Sequence, residues 1–296
     1  MAGPPHDALP PILIAGATAS GKSRLALDLA RVHDGCIINA DSMQVYRELR
    51  ILTARPSVED EAAAPHLLYG HVPASQPYSV GRYVADAARA IADVQARGLR
   101  PILTGGTGLY FKALLEGLSP IPAIQEDIRA HWRTQAEALE PAALHGILAQ
   151  RDPVMAERLE PSDAQRIVRA LEVQEATGRS LSEWQLVPGT PVIAADAIKL
   201  LISRPRAELH ARADARFDAM IEAGALEEAA ALDALRLDPA LPAMRALGVA
   251  PLIAAARGNL APAEAVAEAK AETRKYIKRQ ETWFRKYMIS WKAILA

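Results

Sequence analysis

The chain has 296 residues, half of them hydrophobic and 23% charged, with a formal net charge of −1. Such a composition is typical of a globular protein with a sizeable core, and no apolar run reaches the roughly 18 residues of a membrane span. Residues 1–10 lack the basic start and apolar core of a signal peptide, and the sole cysteine, Cys36, excludes an internal disulfide and a cysteine-based zinc site, so we expect a metal-poor cytoplasmic protein.

The first half of the chain alternates short apolar runs with helix-like stretches, which predicts a parallel β-sheet with crossover helices. The predicted strands cover residues 12–15, 36–38, 102–104 and 198–203. The predicted helices cover residues 21–33 and 80–96, and a further helix follows the glycine-rich turn at 105–108. In the first helix, Leu25, Leu29 and Val32 are expected on one buried face.

The pattern changes between residues 118 and 192, where prolines open and close a segment that is helical inside. Ser162 with Gln165 three residues later forms a capping-box pattern, which predicts a helix from there through Arg169 towards Glu175. We interpret this segment as a helical insertion in an α/β core made of residues 1–117 and 193–296. The alternative is one continuous domain with a long helical crossover. After Pro205 the pattern predicts helices to the end.

The segment from Gly16 to Ser23 matches the phosphate-binding loop pattern, and it lies where that motif requires, after a strand and before a helix. Glycines let consecutive backbone N–H groups converge on an anion, and the helix N-terminus adds partial positive charge. Lys22 supplies a full charge, and the Ser23 hydroxyl is a ligand for Mg²⁺. We therefore predict a P-loop NTPase-like fold that binds a diphosphate or triphosphate. The predicted phosphate-binding residues are Gly16, Ala17, Thr18, Ala19, Ser20, Gly21, Lys22 and Ser23.

Asp41 is the acid placed at the end of a second predicted strand, where an ATP-using enzyme holds its magnesium. It also begins a polar run, Asp41-Ser42-Met43-Gln44-Val45-Tyr46, which is suited to a hydrogen-bonding substrate. The residues alone leave the metal-ligand and proton-acceptor roles equally open.

Basic residues dominate the segment from Lys270 to Lys292, where only Glu272 and Glu281 oppose them. This local charge predicts either a surface for a polyanion or a solvated helix face. The aromatic and aliphatic stripe of the same segment (Ile277, Phe284, Met288 and Trp291) is assigned to core packing.

Several segments together resemble the tRNA dimethylallyltransferases, also called tRNA isopentenyltransferases. Besides the phosphate loop and the run from Asp41 to Tyr46, the matching segments are Thr53-Ala54-Arg55-Pro56, Pro65-His66-Leu67, Gly105-Gly106-Thr107-Gly108-Leu109-Tyr110, residues 163–172, Thr273-Arg274, and Lys278-Arg279-Gln280-Glu281-Thr282-Trp283-Phe284-Arg285. They span nearly the whole chain. One departure is Gly248-Val249, where the family usually shows Gly-Tyr.

The resemblance implies transfer of a dimethylallyl group from dimethylallyl diphosphate to N6 of the adenosine 3′ to the anticodon, position 37, with Mg²⁺ as cofactor. It implies that the phosphate loop holds the donor, helped by Arg212 and Arg216, which could equally be surface ion-pair residues. Asp41 would accept the amine proton, with Lys22 and Ser23 stabilising the departing diphosphate. The implied tRNA-binding residues are Asp41, Ser42, Met43, Gln44, Thr107, Arg129, Gln165, Arg166, Ile167, Val168, Arg169, Lys278, Arg279, Gln280, Trp283 and Arg285.

Three other functions compete with this interpretation. A small-molecule or nucleotide kinase explains the phosphate loop but leaves the run after Asp41 and the basic segment unused. An adenylate isopentenyltransferase uses the same donor but needs neither the insertion nor the basic segment, and a non-catalytic nucleic-acid-binding module leaves the phosphate loop unexplained. We expect a monomer whose partners are the tRNA anticodon stem-loop and dimethylallyl diphosphate, with no membrane association.

Overall fold

A computed structural model describes residues 9–295. Within them, six parallel strands form one sheet in the order β3-β2-β4-β1-β5-β6. This arrangement confirms the predicted α/β class with a P-loop-like parallel sheet. The strands are β1 (Ile12–Gly16), β2 (Gly35–Asn39), β3 (His66–Leu67), β4 (Arg100–Gly105), β5 (Ile198–Ser203) and β6 (Lys292–Leu295).

Thirteen α-helices connect and cover these strands within the described part of the chain. Those before residue 117 are α1 (Lys22–Val32), α2 (Val58–Ala63), α3 (Val80–Ala96) and α4 (Gly108–Glu116). The next five are α5 (Glu126–Ala138), α6 (Pro141–Arg151), α7 (Pro153–Ala156), α8 (Ala164–Thr177) and α9 (Leu181–Trp184). After β5 come α10 (Arg206–Glu222), α11 (Ala225–Ala234), α12 (Val249–Ala256) and α13 (Pro262–Tyr287).

The central strand β1 is apolar throughout because both faces of the sheet are covered there, as expected of a parallel sheet with crossover helices. All five residues of β1 are buried. Leu13 and Ala15 join a large core on one face of the sheet, which includes α3, α4 and the C-terminal helices. Ile12 and Ile14 join a smaller core on the other face, under α1. The alternation of side chains along the strand therefore divides the two cores.

The chain folds into two compact units. One contains the sheet and consists of the described residues up to Leu115 and from Val192 onwards, while the other is the helical segment Glu116–Pro191. The second unit has its own core, in which the fully buried side chains of Leu148, Ile167 and Leu171 pack with Trp132. Each unit thus buries apolar side chains of its own.

Three local expectations were wrong. Val32 is 75% exposed because the buried face of α1 is centred on Ala26 and Ala30, and a step of about 100° per residue turns position 32 outwards. Ser162 forms no capping box; the N-cap of α8 is Asp163, whose carboxylate pairs with Arg166 at 3.0 Å and makes no side-chain cap hydrogen bond.

The third concerns the end of the chain, where a strand follows the basic helix. Residues 292–295 form β6, which pairs in parallel with β5 at the edge of the sheet. Lys292 therefore belongs to a strand, while the predicted core positions Ile277, Phe284, Met288 and Trp291 are buried as expected.

No helix among the described residues is both long enough and apolar enough to cross a membrane. The expectation that residues 1–10 are not a signal peptide concerns a segment that lies mostly outside the described residues, which start at residue 9.

A carboxylate from α11 holds the loop that follows the run from Asp41 to Tyr46. The two side-chain oxygens of Glu228 accept the backbone N–H groups of Arg50 (2.7 Å), Ile51 (2.8 Å) and Leu52 (2.9 Å). Three donors on one anion fix the loop, which lies far from α11 in sequence.

We predict that Glu228→Ala lowers the free energy of unfolding by about 2–3 kcal/mol, because it leaves these three amides without their charged acceptor. Urea denaturation measures the change. The matched control is Glu227→Ala on the same helix, where the side chain is exposed and the expected change is within about 0.5 kcal/mol. Equal effects of the two substitutions would contradict the assigned role.

Candidate active site

The phosphate loop connects the buried end of β1 to the first turn of α1. Its backbone passes through the left-handed region at Ala19 (φ 66°) and at Gly21 (φ 99°). A non-glycine residue there costs about 1–3 kcal/mol and is retained where the surrounding structure fixes it. Gly21 caps α1 without a side-chain hydrogen bond, so no side chain takes up the N–H groups of the first turn. The loop therefore presents an anion-binding helix N-terminus, as the sequence predicts.

Side chains from distant segments bind the polar backbone groups of this loop. The Nε atom of Arg204 donates to the Ser20 carbonyl at 2.9 Å, and Nε of Arg212 donates to the Ala19 carbonyl at 3.0 Å. The Thr18 N–H donates to Oε1 of Gln280 at 2.9 Å, so this amide is engaged within the protein instead of being free for a phosphate. Neither Arg204 nor the contact of Gln280 with the loop was predicted.

A cavity of about 370 Å³ opens beside the loop. It has the size of a small-ligand site. Its lining contains six of the predicted donor residues, Ala19, Gly21, Lys22, Ser23, Arg212 and Arg216, together with Ala215. The predicted residues Gly16, Ala17, Thr18 and Ser20 are not part of this lining. The structure thus brings the two arginines of α10 to the phosphate loop, where the sequence alone left a surface ion pair equally open.

The cationic groups of this cavity are crowded together. Burial lowers the pKa of Lys22 to about 8, against the opposing effect of Asp41 and with a smaller lowering by Arg216. Burial also lowers the pKa of Arg216, and Asp41 again acts in the opposite direction. An anion would stabilise Lys22 and Arg216, because these two positive charges lie near each other and burial leaves them little water.

Asp41 leaves the end of β2 and is held by its neighbours. Its backbone N–H donates to Oδ1 of Asn39 at 2.8 Å, and Nδ2 of Asn39 donates to the Asp41 carbonyl at 2.9 Å. Oδ1 of Asp41 accepts the Met43 N–H at 2.9 Å. Its Oδ2 faces Gly106, where an added Cβ would come within 3.3 Å of that oxygen. One carboxylate oxygen is thus fixed in a turn while the other lies beside the loop after β4.

Ser42 and Thr107 meet next to Asp41. The Ser42 N–H donates to Oγ1 of Thr107 at 2.9 Å, and the two hydroxyls lie 3.3 Å apart. The rest of the polar run turns inwards: Nε2 of Gln44 donates to two backbone carbonyls of the loop at residues 53–54, and Tyr46 is fully buried. The expectation that the whole run faces a substrate is wrong for Val45 and Tyr46, which are fully buried; the Tyr46 backbone bridges to Val72.

A second, smaller cavity of about 60 Å³ is also lined by Ser23, together with Thr104. The Thr104 hydroxyl is buried and has no hydrogen-bond partner. Among the described residues, no cluster of three or more histidine, cysteine or acidic side chains could hold a metal alone. The hydroxyls of Ser23 and Thr104 fit a magnesium ion whose other ligands are phosphate oxygens and several waters. Ser23 would bind the ion directly, and the Thr104 hydroxyl would hydrogen-bond one of its waters.

The segment from Lys278 to Arg285, which resembles the family motif, lies on helix α13, and its residues fall on two faces of that helix. Lys278, Arg279 and Arg285 are exposed. Gln280 is buried, and the Trp283 ring packs against Gly108, where an added Cβ would lie 2.1 Å from the ring. The implied RNA contacts of these last two residues are therefore restricted by packing, whereas the three cations remain accessible.

In the helical unit, Gln165 and Arg166 are exposed at the start of α8. Arg129 lies 3.9 Å from Glu126, and Arg169 pairs with Glu172 at 3.3 Å. The side chains of Ile167 and Val168 pack into the core of this unit. The Ile167 side chain is fully buried because the helix turns position 167 inwards, so this side chain is not available to RNA.

Comparison with known proteins adds independent findings. The family model described as IPP transferase matches residues 44–287, and the model described as isopentenyl transferase matches residues 11–65. The chain is 56% identical to the tRNA dimethylallyltransferase of Parvibaculum lavamentivorans, over 95% of this chain and 89% of that protein. It is 58% identical to the enzyme of the same name from Methylobacterium nodulans, over 93% of this chain and 91% of that protein.

Solved structures agree with these relatives. The tRNA isopentenylpyrophosphate transferase of Bacillus halodurans has a TM-score of 0.69 at 30% identity, with 97% of this chain and 89% of that chain covered. A eukaryotic dimethylallyltransferase acting on tRNA has a TM-score of 0.79 at 26% identity, with 97% of this chain and 74% of that chain covered.

We predict that Lys22→Ala weakens binding of inorganic diphosphate by roughly 10-fold or more, because a charge-assisted contact is lost. In thermal unfolding with magnesium, the wild type should gain about 2.7 kcal/mol at a hundred times its dissociation constant, and the variant should gain about 1.4 kcal/mol or less at the same concentration. Lys275→Ala, an exposed lysine on α13, serves as the control and should behave as the wild type. Undiminished stabilisation of Lys22→Ala would remove this lysine from the phosphate site.

Proposed function

Because the chain belongs to the IPP transferase family of tRNA dimethylallyltransferases, we propose that it moves a dimethylallyl group from dimethylallyl diphosphate to N6 of adenosine 37 in tRNA. The observation that carries this proposal is the cavity in which the phosphate loop, Arg212 and Arg216 converge, with Asp41 close enough to influence the pKa of Lys22. An anion site and a fixed carboxylate are the two groups that this transfer requires.

The chemistry explains why both groups are needed. An exocyclic adenine amine is a weak nucleophile, so the allylic C1–O bond must break early and leave cation character on the carbon. Lys22, Arg216 and the loop N–H groups stabilise the departing diphosphate. The nitrogen forms the new bond to C1, and Asp41 takes the proton that the amine loses. The Asn39 hydrogen bonds hold the backbone of Asp41 in place for this role.

Magnesium is proposed as the cofactor, with Ser23 as its protein ligand and Thr104 beside a bound water. When bound, the ion supplies positive charge to the diphosphate oxygens. The donor set agrees with the usual coordination of magnesium, which combines few protein ligands with phosphate oxygens and waters.

The RNA is proposed to bind through exposed cations. Lys278, Arg279 and Arg285 on α13 are available to phosphates of the anticodon stem-loop. In the helical unit, the exposed Gln165 and Arg166 are the most accessible of the expected contacts. Adenosine 37 must leave the stack of the loop before its amine can be reached.

The protein lacks a metal-binding acid at the position where the competing kinase function needs one. A nucleotide kinase of this fold would carry a metal-binding acid at the end of the strand next to the phosphate loop strand. In this structure β1 lies between β4, which ends in Thr104 and Gly105, and β5, which ends in Ser203, so neither neighbouring strand ends in an acid.

The direct test incubates the protein with radiolabelled dimethylallyl diphosphate, magnesium and bulk tRNA and measures label in the RNA. We expect label in tRNA that has adenosine at position 37, and none when the donor is replaced by labelled ATP. Label transferred from ATP alone, or no label in RNA, would refute the proposed function.

We predict that Asp41→Asn lowers the rate of the catalytic step by about two to four orders of magnitude, the usual contribution of a positioned general base. Donor binding with magnesium should stay within a few-fold of the wild type, because the amide keeps the shape and the Met43 hydrogen bond. Single-turnover kinetics and equilibrium binding measure the two quantities. Asp93→Asn, on an exposed acid of α3, is the control.

Loss of donor binding in Asp41→Asn, with rescue by excess magnesium, would instead make Asp41 a metal ligand. That result would refute the proton-acceptor role and leave the family assignment unaffected.

We predict that Lys278→Gln, Arg279→Gln and Arg285→Gln together weaken tRNA binding and leave donor binding unchanged. Each lost phosphate contact should reduce the slope of log affinity against log salt by about 0.7–0.9. Binding to an anticodon stem-loop over a range of salt concentrations measures the slope. The control changes three other exposed arginines, Arg24, Arg89 and Arg97, to glutamine, and so alters the net charge equally. If the two triple variants have the same slope, α13 is only a solvated face.

A further inference from the structure

Gln280 connects α13 to two loops of the candidate active site. Its Oε1 accepts the N–H of Thr18 in the phosphate loop at 2.9 Å, and its Nε2 donates to the carbonyl of Gly106 at 3.0 Å. The residue is 5% exposed, so both ends of the amide are engaged away from water. A glutamine is the one side chain of this length that can accept from the first loop and donate to the second.

The same part of α13 carries the accessible cations. Lys278 and Arg279 immediately precede Gln280 and are exposed, while Trp283 packs on Gly108 in the loop after β4. The Gln280 amide also lies close to the catalytic carboxylate, because a Cβ on Gly106 would be 2.3 Å from its Nε2 and 3.3 Å from Oδ2 of Asp41. One short helical segment thus joins the proposed RNA face, the donor loop and the surroundings of Asp41.

We propose that Gln280 is a positioning residue which couples binding of RNA on α13 to binding of the donor in the phosphate loop. The inference rests on the proposed function. RNA on the exposed face fixes the position of α13, and the two hydrogen bonds of Gln280 then fix Thr18 and hold the phosphate loop in its anion-binding conformation. Coupling of this kind is reciprocal, so a diphosphate in the loop strengthens RNA binding by the same factor.

The test measures coupling between two ligands that do not react. Inorganic diphosphate with magnesium probes the loop, and an unmodified anticodon stem-loop probes the RNA face. In the wild type we expect the stem-loop to tighten diphosphate binding roughly 5-fold or more, the lower end of typical coupling. In Gln280→Ala we expect each ligand to bind alone and the coupling to disappear. The control Glu268→Ala, on an exposed residue of α13, should keep the full coupling.

A second variant tests the same connection from the opposite side. In Gly106→Ala the new Cβ would lie 2.3 Å from the Gln280 amide nitrogen, so the amide must shift away from the Gly106 carbonyl and the Thr18 N–H that it binds. We expect this variant to lose the coupling as well. In the double variant that combines Gln280→Ala with Gly106→Ala, the coupling should differ little from that of Gln280→Ala alone. The reason is that the side chain which the new Cβ would displace is already absent. Non-additivity of this kind is the sign of a shared interaction.

Coupling that survives in Gln280→Ala or in Gly106→Ala, or that is absent from the wild type, would overturn the proposal. If Gln280→Ala does not fold, Gly106→Ala decides the question by the same measurement. A protein that transfers label to tRNA but shows no coupling contradicts this inference alone. A protein that transfers no label contradicts the proposed function, whatever the coupling is.

Discussion

The phosphate loop imposes the central constraint on this structure, because its backbone must keep several N–H groups directed at an anion site. The other N–H and C=O groups of the loop do not face that site. Ala19 and Gly21 adopt left-handed backbone angles to achieve this. The remaining polar groups need partners, since unpaired backbone groups are costly when buried. Arg204, Arg212 and Gln280 provide them from segments that follow β5, late in the chain.

The strand order explains how Asp41 comes into the field of this loop. β4 lies between β1 and β2, so the loops that leave the carboxyl ends of these three strands are neighbours. Parallel α/β sheets bind ligands at this edge. Gly105 and Gly106 let the loop after β4 run close to its neighbours: a Cβ at Gly105 would meet the Ala40 carbonyl at 2.0 Å, and one at Gly106 would meet the Gln280 amide. Asp41 can therefore lie next to the loop after β4 and still influence Lys22 on α1.

Features carried by local sequence were predictable, and features made by distant contacts were not. The apolar runs predicted the core strands, and the spacing of glycine, lysine and serine predicted the phosphate loop and its helix. No local signal distinguishes Gln280, which is buried, from its exposed neighbours Lys278 and Arg279. The inward turn of Tyr46 likewise depends on pairing with Val72, which is remote in sequence. The edge strand β6 depends on pairing with β5, and its own four residues carry no periodic pattern that predicts a strand.

Packing against α13 accounts for two glycines that backbone conformation leaves unexplained. Neither Gly106 nor Gly108 has a positive φ, so neither needs glycine for its torsion angles. Both are instead covered by side chains of α13: Gln280 fills the space beside Gly106, and the Trp283 ring fills that beside Gly108. The glycines permit this close approach, and the two side chains hold the helix against the loop after β4. The basic face of α13 and the loops that hold the donor and Asp41 therefore form one packed arrangement, in which a shift of the helix must also displace the phosphate loop.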